Sequence, residues 1–146
     1  MIIWVANVRN LRISITVFCI WLEIQGQWFI YKNLSMAIYV STDNPQDLLD
    51  KIKDYINKGK IDTWSFDSEG DFTHCVDQWK NKAWFRPKIT DDNLVFGIMG
   101  NTEVTMTKQL YGIYHGRFIE MLLTHFDTNM KSLKPTVMKS KYDSFS

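Results

Sequence analysis

Cysteine, proline and long apolar runs are scarce in this sequence. Its two cysteines, Cys19 and Cys75, stand far apart and outside any CxxC pair, so we expect free thiols in a reducing compartment. The longest apolar stretch, Ile13–Leu22, has about half of the roughly 20 residues that a membrane-spanning helix needs. These scarcities predict a cytoplasmic protein with no membrane span.

Sequence signatures of known reactions are also missing. There is no GxSxG, no phosphate-binding Walker loop and no dinucleotide-binding glycine fingerprint. His74, His115 and His125 include no pair at the four-residue spacing of helical metal ligands, and the acidic loop 67–71 lacks the remaining positions of a calcium loop. The sequence therefore predicts no metal site and no cofactor, and it leaves any catalytic residues unknown.

The net charge of +1 is unevenly distributed along the chain. Residues 36–130 hold 10 basic and 14 acidic residues, a balance of 10 − 14 = −4, which argues against nucleic-acid binding by this region. Residues 131–146 carry 4 − 1 = +3, are polar and show no periodicity, which predicts a flexible basic tail. Aromatic residues make up 14% of the chain, and Trp, Tyr and Arg dominate the hot spots of protein interfaces.

The first 35 residues differ from the rest and predict a separate N-terminal extension. Met36 immediately precedes a clear strand, AIYVST, so we expect translation to start at Met36 and residues 1–35 to be read from upstream sequence. Two alternatives stay open. Arg9 and Arg12 ahead of Ile13–Leu22 have the outline of a signal or membrane-associated segment, although no small-residue cleavage site follows. The other alternative is a native extension that packs on the domain.

Residues 36–130 predict a single α+β domain with the element order β-α-β-β-β-β-α. The predicted strands are Ala37–Ser41, Ile61–Phe66, Phe72–His74, Ala83–Ile89 and Leu94–Met99, and the first helix runs from Pro45 to about Lys58. Because Leu94–Met99 is apolar throughout, we expect that strand to be buried on both faces. Pro87 restricts its own strand to a sheet edge or a bulge. The order predicts a mostly antiparallel sheet with two long helices packed on one face.

The segment Leu110–Phe126 predicts a long amphipathic helix with a threonine N-cap at 105 or 107. Apolar residues recur along it at three- and four-residue spacing, which indicates one buried stripe. Gly112 and Gly116 lie one turn apart on another side and leave bare backbone there. We expect that another chain segment crosses closely at this strip or that the strip is exposed; the alternative is a ligand or partner lying between His115 and Arg117.

Two stretches of the chain look like a known group of proteins. GDFTHCVDQWKNKAWFRP at 70–87 and YGIYHGRFIEMLLTHFD at 111–127 resemble a group of short uncharacterised bacterial proteins that begin at the position of Met36. The resemblance covers about residues 36–127. Because that group has no assigned activity, the resemblance implies no catalytic residues, but it supports a start at Met36.

Five residues are the candidates for binding a partner. They are Trp79, Trp84, Arg86, His115 and Arg117. Arg86 lies in an aromatic strand beside Trp84, and its guanidinium suits stacking on a ring. His115 and Arg117 lie about 200° apart around the helix, at about 100° per residue, so they cannot both face one small site.

The favoured interpretation is a small cytoplasmic protein-interaction module without catalytic activity, such as an adaptor, an inhibitor or an immunity-like protein. Its partner is expected to be another protein or a second copy in a homodimer. One alternative is a small enzyme in which His115 or His74 acts with Arg86 or Arg117 on an anionic substrate, which requires these side chains to share a pocket. The other is a weak binder of single-stranded nucleic acid through stacked aromatics and the basic tail.

Overall fold

The computed structural model describes residues 37–137 and 139–145 of the chain. The predicted N-terminal extension 1–35 and the expected start at Met36 lie outside the described residues. The described elements, in chain order, are β1 Ile38–Ser41, α1 Pro45–Asn57, β2 Trp64–Phe66, β3 Phe72–His74, β4 Ala83–Thr90, β5 Asn93–Gly100, α2 Lys108–Phe126, a 3-10 turn at Asp127–Asn129 and β6 Ser132–Pro135.

Over the described residues, the strands form one six-stranded sheet in the order β2-β3-β4-β5-β1-β6. Every strand pair in it is antiparallel. The α+β class and the antiparallel sheet are therefore confirmed, and the predicted order of elements is found with one more strand, β6, after α2. None of the helices in this part of the chain has the length and hydrophobicity that crossing a membrane requires.

Strand β5 lies inside the sheet and is buried on both faces, as its apolar sequence predicts. Leu94, Val95, Phe96 and Ile98 are all fully buried. We call the side that carries Phe96 and Ile98 the core face, and the side that carries Val95 and Gly97 the outer face, because successive strand residues point to opposite sides. Register then assigns every residue of the neighbouring strands to one of these two faces.

One hydrophobic cluster joins the core face to side chains from both helices. Leu48 and Ile52 of α1 and Tyr114 and Phe118 of α2 belong to this cluster, together with core-face strand residues such as Phe85. The Phe118 ring is the centre of an aromatic group, lying 4.7 Å from the ring centroids of both Phe85 and Phe96, which are on neighbouring strands. Burial of this α2 stripe accounts for the three- and four-residue apolar spacing of the helix.

Pro87 occupies the strand position that its missing N–H allows. Strand β4 pairs with β5 along its length, with Pro87 opposite Phe96, whereas β3 reaches β4 only at Phe85. Beyond Phe85, the β3 side of β4 is unpaired within the described residues, so the proline ring leaves no neighbouring carbonyl without a donor. Strand β4 nevertheless lies between β3 and β5 in the sheet, so the prediction of an edge strand is wrong for β4 as a whole, although Pro87 itself lies beyond the pairing with β3.

Helix α2 begins at a threonine cap and carries its two glycines on an open face. Thr107 Oγ1 accepts a hydrogen bond from Leu110 N at 3.1 Å, which selects Thr107 over Thr105 as the N-cap. A Cβ built at Gly112 or Gly116 would meet no atom of the described residues within 4 Å. Of the two possibilities expected for the glycine strip, exposure is therefore confirmed, and no segment in the described part of the chain crosses it closely.

Residues 131–146, predicted to be a flexible basic tail, include one short strand and a buried carboxylate. Residues Ser132–Pro135 form β6, which pairs with β1 at the sheet edge. Further on, Asp143 is 8% exposed, and its carboxylate accepts hydrogen bonds from Ile98 N and Ser140 N, both at 2.7 Å. Burial raises the pKa of Asp143, while these two bonds lower it. Backbone pairing holds this polar segment, and hydrophobic periodicity carries no signal of such pairing.

Candidate functional site

A cleft of about 540 Å³ opens between α2 and the ends of β2 and β3. We call it the α2 cleft. Its floor and walls combine aromatic, apolar and charged side chains, a mixture common to binding sites. The residues that line it are Lys60, Ile61, Asp62, Thr63, Trp64, His74, Val76, Gln78, Trp79, Arg117, Glu120, Met121, Thr124 and His125.

Trp64 and His74 form the floor of the α2 cleft. They are direct partners across the β2–β3 pair, so their side chains project from the same face of the sheet. Their ring centroids lie 5.0 Å apart. Trp64 is 2% exposed and His74 is 4% exposed, because Phe118 and Tyr114 of α2 pack against the Trp64 ring. Both rings are therefore held in place by the core.

The hydrogen bond from Val76 determines the tautomer of the neutral His74 ring. Val76 N donates to His74 Nδ1 at 3.2 Å, so Nδ1 acts as an acceptor and the ring proton of the neutral form lies on Nε2. Burial lowers the pKa of His74, and the nearby positive charge of Arg117 lowers it further. At neutral pH, His74 is thus an uncharged imidazole that offers one N–H.

The ring N–H groups of Trp64 and His74 face the α2 cleft. Within the described residues, neither Trp64 Nε1 nor His74 Nε2 has a hydrogen-bond acceptor, although both residues are more than nine-tenths buried. No fully buried side-chain nitrogen or oxygen in this part of the chain lacks a partner. The two ring nitrogens must therefore reach solvent, and the cleft that both rings line gives them that access.

Charged side chains at the mouth of the α2 cleft balance one another. Arg117 Nη1 donates to Glu120 Oε2 at 2.9 Å, and both side chains are about 60% exposed, at 60% and 62%. Lys60 and Asp62 add one charge of each sign, so the four ionised groups sum to zero. The remaining N–H groups of Arg117 are available to a ligand, since only one nitrogen of its guanidinium binds Glu120.

Of the five predicted binding residues, Trp79 and Arg117 line the α2 cleft. Trp79 packs against the hydrophobic cluster, and its carbonyl accepts a hydrogen bond from the Tyr114 hydroxyl at 2.6 Å. Lys82 Nζ lies 5.3 Å from the centroid of the Trp79 ring. The structure therefore places two predicted residues together with His74, which sequence also singled out.

Trp84 and Arg86 lie on the outer face, away from the cleft. They flank Phe85, which is on the core face, so strand alternation sends them to the other side. Arg86 is bound there by Asp71, whose carboxylate accepts from Nε at 3.0 Å and from Nη2 at 2.6 Å. This bond and the charge of Asp71 raise the pKa of Arg86. Trp84 and Arg86, two of the five binding candidates, are therefore not among the residues that line the cleft with Trp79.

His115 is a core residue and does not reach the cleft. It is 5% exposed, stacks on the Tyr111 ring at 3.8 Å between centroids and lies 5.1 Å from the Phe85 ring. Its Nδ1 is 3.0 Å from the Tyr111 carbonyl oxygen, a contact that orients the ring. His115 and Arg117 thus point to different surroundings, as their spacing on a helix predicts.

Trp64 is the cleft residue that sequence reasoning missed. The alternation in IDTWSF predicts a strand without showing which of its faces is buried; in the structure Trp64 is 2% exposed. A buried tryptophan carries an N–H that needs an acceptor, and its neighbours Thr63 and Ser65 point to the opposite face of a strand. The need of the Trp64 N–H for an acceptor could have marked this residue as a candidate. The position of the cleft follows only from the pairing of Trp64 with His74.

His74 should make the stability of the protein fall in mild acid. Its pKa is lowered from 6.5 in the folded state, so below about pH 6.5 the unfolded chain binds a proton that the folded chain does not. Stability is then lost as pH falls from about 6.5 towards the lowered pKa, by up to about 1.4 kcal/mol for each pH unit.

The measurement is the free energy of urea unfolding at pH 7.5 and 5.5 for the wild type and for His74→Asn. The asparagine amide oxygen still accepts from Val76 N, but the side chain does not titrate. The difference between the two pH values should be larger in the wild type. Equal differences in both proteins would show that His74 is not responsible, because the other histidines are present in each.

Comparisons with protein-family models, with curated proteins and with solved structures found no match to this chain. Among the described residues, no group of three or more His, Cys, Asp or Glu side chains is placed to hold a metal ion. The α2 cleft and its donors therefore carry the functional interpretation.

Proposed function

We propose that this chain is a small protein-interaction module without catalytic activity, and that the α2 cleft is its contact site. The observation that carries the proposal is the pair of N–H groups, Trp64 Nε1 and His74 Nε2, that face the cleft without an acceptor. Trp79 and Arg117 stand beside them, and tryptophan and arginine are the residue types most enriched at interface hot spots. A protein partner with acceptor groups would satisfy these donors.

An enzyme acting on an anionic substrate has one supporting observation. His74 and Arg117, two residues named for that role, do share the α2 cleft. However, a general base must have a free lone pair, and the Nδ1 lone pair of His74 accepts from Val76 N. The other nitrogen, Nε2, carries the proton. The cleft is therefore built to donate hydrogen bonds, which favours recognition over proton abstraction.

Further parts of the proposal follow from the same domain. We infer that both helices pack on the core face, because their buried side chains share one cluster with its strand residues. We propose a cytoplasmic, bacterial protein, in line with the resemblance of residues 36–127 and with the free thiol of Cys75. The Arg86 and Trp84 side of the sheet has no part in the proposed contact.

Two half-buried tryptophans provide a matched test of this proposal. Full-length protein carrying Trp79→Ala or Trp84→Ala is used as bait in the native host, and recovered proteins are quantified by mass spectrometry. A partner that binds at the cleft should be reduced by at least about tenfold by Trp79→Ala, because hot-spot truncations typically cost 2 kcal/mol or more. The same partner should still be recovered with the Trp84→Ala variant.

Circular dichroism on both variants provides the folding control for this comparison. If no protein is recovered in a Trp79-dependent manner while both variants stay folded, the interaction proposal fails. Recovery lost equally in the two variants would place the contact outside the α2 cleft.

A further inference from the structure

We infer that the floor of the α2 cleft binds a carboxylate group, and that in the cell this group is the C-terminal carboxylate of a partner protein. The inference rests on the proposed interaction function, which it makes specific. It starts from two donors that the fold fixes and leaves open, Trp64 Nε1 and His74 Nε2. A donor in a nearly dry setting is stabilised by an acceptor, and a charged acceptor makes the stronger bond.

The number of donors fits a group with two oxygens. The Trp64 and His74 rings are 5.0 Å apart between centroids and offer one N–H each. Arg117 adds unused guanidinium N–H groups at the mouth of the same cleft. A carboxylate accepts about four hydrogen bonds through its two oxygens, so the floor donors and Arg117 can bind it together.

The charge of the α2 cleft favours a carboxylate over a phosphate. Lys60 and Arg117 are balanced by Asp62 and Glu120, and the buried His74 offers a neutral N–H, because its Nδ1 accepts from Val76 N. A phosphate monoester carries about −1.5 to −2 charges at pH 7 and would meet the two acidic side chains without a surplus of positive charge. One negative charge needs only the guanidinium and the neutral N–H groups.

Apolar walls indicate what the carboxylate is attached to. Trp79 and Met121 line the same cleft, and Val76 is a large hydrophobic residue that is 46% exposed there. An apolar or aromatic side chain next to the carboxylate would cover these groups. A protein chain that ends in an apolar residue presents this combination, because its last side chain and its carboxylate share one Cα. Capture of a chain-terminal carboxylate is a recurring way of recognising peptides.

A small probe tests the carboxylate site without any partner protein. Full-length ¹⁵N-labelled protein is titrated with 3-phenylpropionate, and with 3-phenylpropanamide, which has the same ring and chain but no charge. We expect the Trp64 Nε1–H resonance, assigned from a Trp64→Phe variant, to move downfield with the acid. The amide should bind at least about tenfold more weakly, and inorganic phosphate should not displace the acid. Equal affinities for acid and amide would overturn the inference.

Three substitutions attribute this binding to the proposed donors. Arg117→Met and His74→Asn should each weaken binding of 3-phenylpropionate about tenfold, since each removes a donor while the Val76 bond to residue 74 is kept. Glu120→Gln should tighten it about two- to threefold, because it removes a competing acceptor and a like charge. A gain of affinity cannot come from misfolding. Unchanged affinity in all three variants would show that 3-phenylpropionate binds outside the α2 cleft.

An experiment with peptides distinguishes failure of the carboxylate inference from failure of the proposed interaction function. Peptides that end in phenylalanine are compared with a free C-terminal carboxylate and with a C-terminal amide. Preference for the free acid by at least about tenfold supports a protein terminus as the ligand. If 3-phenylpropionate binds but neither peptide does, the assignment of the ligand to a protein terminus fails, and the Trp79→Ala comparison alone decides the interaction function. If neither acid binds while capture of a partner depends on Trp79, the carboxylate inference fails and the interaction function stands.

Discussion

Replacing Gly97 with alanine should destabilise the protein by about 3 kcal/mol, at the upper end of what overpacking costs. A Cβ at this position would lie 2.6 Å from the carbonyl carbon and 2.8 Å from the Cβ of Tyr142, whose backbone crosses the outer face there. Neither residue 97 nor Tyr142 can move aside easily. Gly97 is in the buried strand β5, and Asp143 ties the crossing segment to Ile98 N. The measurement is the free energy of unfolding in urea.

The same substitution on α2 provides the control for Gly97→Ala. Gly112→Ala adds a Cβ that meets nothing within 4 Å among the described residues, so it should stabilise the protein by about 1 kcal/mol through helix propensity. We therefore expect the free energy of unfolding to fall in Gly97→Ala and to rise in Gly112→Ala. A neutral Gly97→Ala would mean that Tyr142 and its neighbours are not held against β5. A destabilising Gly112→Ala would reveal a contact along the glycine strip.

Replacing Arg86 with methionine should destabilise the protein by roughly 2–3 kcal/mol. The Asp71 side chain is 3% exposed, and among the described residues Arg86 is the group that donates to its carboxylate. Removing the guanidinium leaves a buried charge without compensation, which is what makes breaking a buried ion pair costly. The expected loss is below that of a fully buried pair, because Arg86 itself is 51% exposed.

Arg117→Met is the matched control for Arg86→Met. Arg117 and its partner Glu120 are both mostly exposed, and pairs of this kind contribute about 0–1 kcal/mol. Urea unfolding at pH 7 should therefore separate the two variants by about 2 kcal/mol. Similar losses in both would contradict the assignment of Asp71 as a buried acceptor that depends on Arg86.

Secondary structure was largely predictable from local pattern. The ranges predicted for β1, β3, β4 and β5 agree with the structure to within about a residue at either end, because each lies between turn residues and alternates or is apolar throughout. Strand β2 is shorter than predicted and begins at Trp64, since the chain first leaves α1 through the turn at Gly59. Hydrophobic periodicity did not predict β6, because its residues are mostly exposed and are held by pairing with β1.

The candidate site was only partly predictable, because it combines residues distant in sequence. Arg117 and Trp79 were expected to bind a partner and do line the α2 cleft. Trp84 was also expected to bind a partner but lies on the outer face, since its neighbour Phe85 is the residue that strand alternation sends to the core. No periodicity shows that the turn after β3 places a backbone N–H on His74 Nδ1.

Local spacing of apolar residues and turn chemistry were enough to predict the α+β class, the order of the elements through α2, and the two-sided burial of β5. The three-dimensional structure was needed to show which polar groups meet. It placed Arg86 on Asp71, attached the C-terminal residues to β1 and β5, and left the N–H groups of Trp64 and His74 open to one cleft. The physical reason is that hydrogen bonds depend on geometry between distant segments, whereas burial of a stripe depends on spacing within one segment.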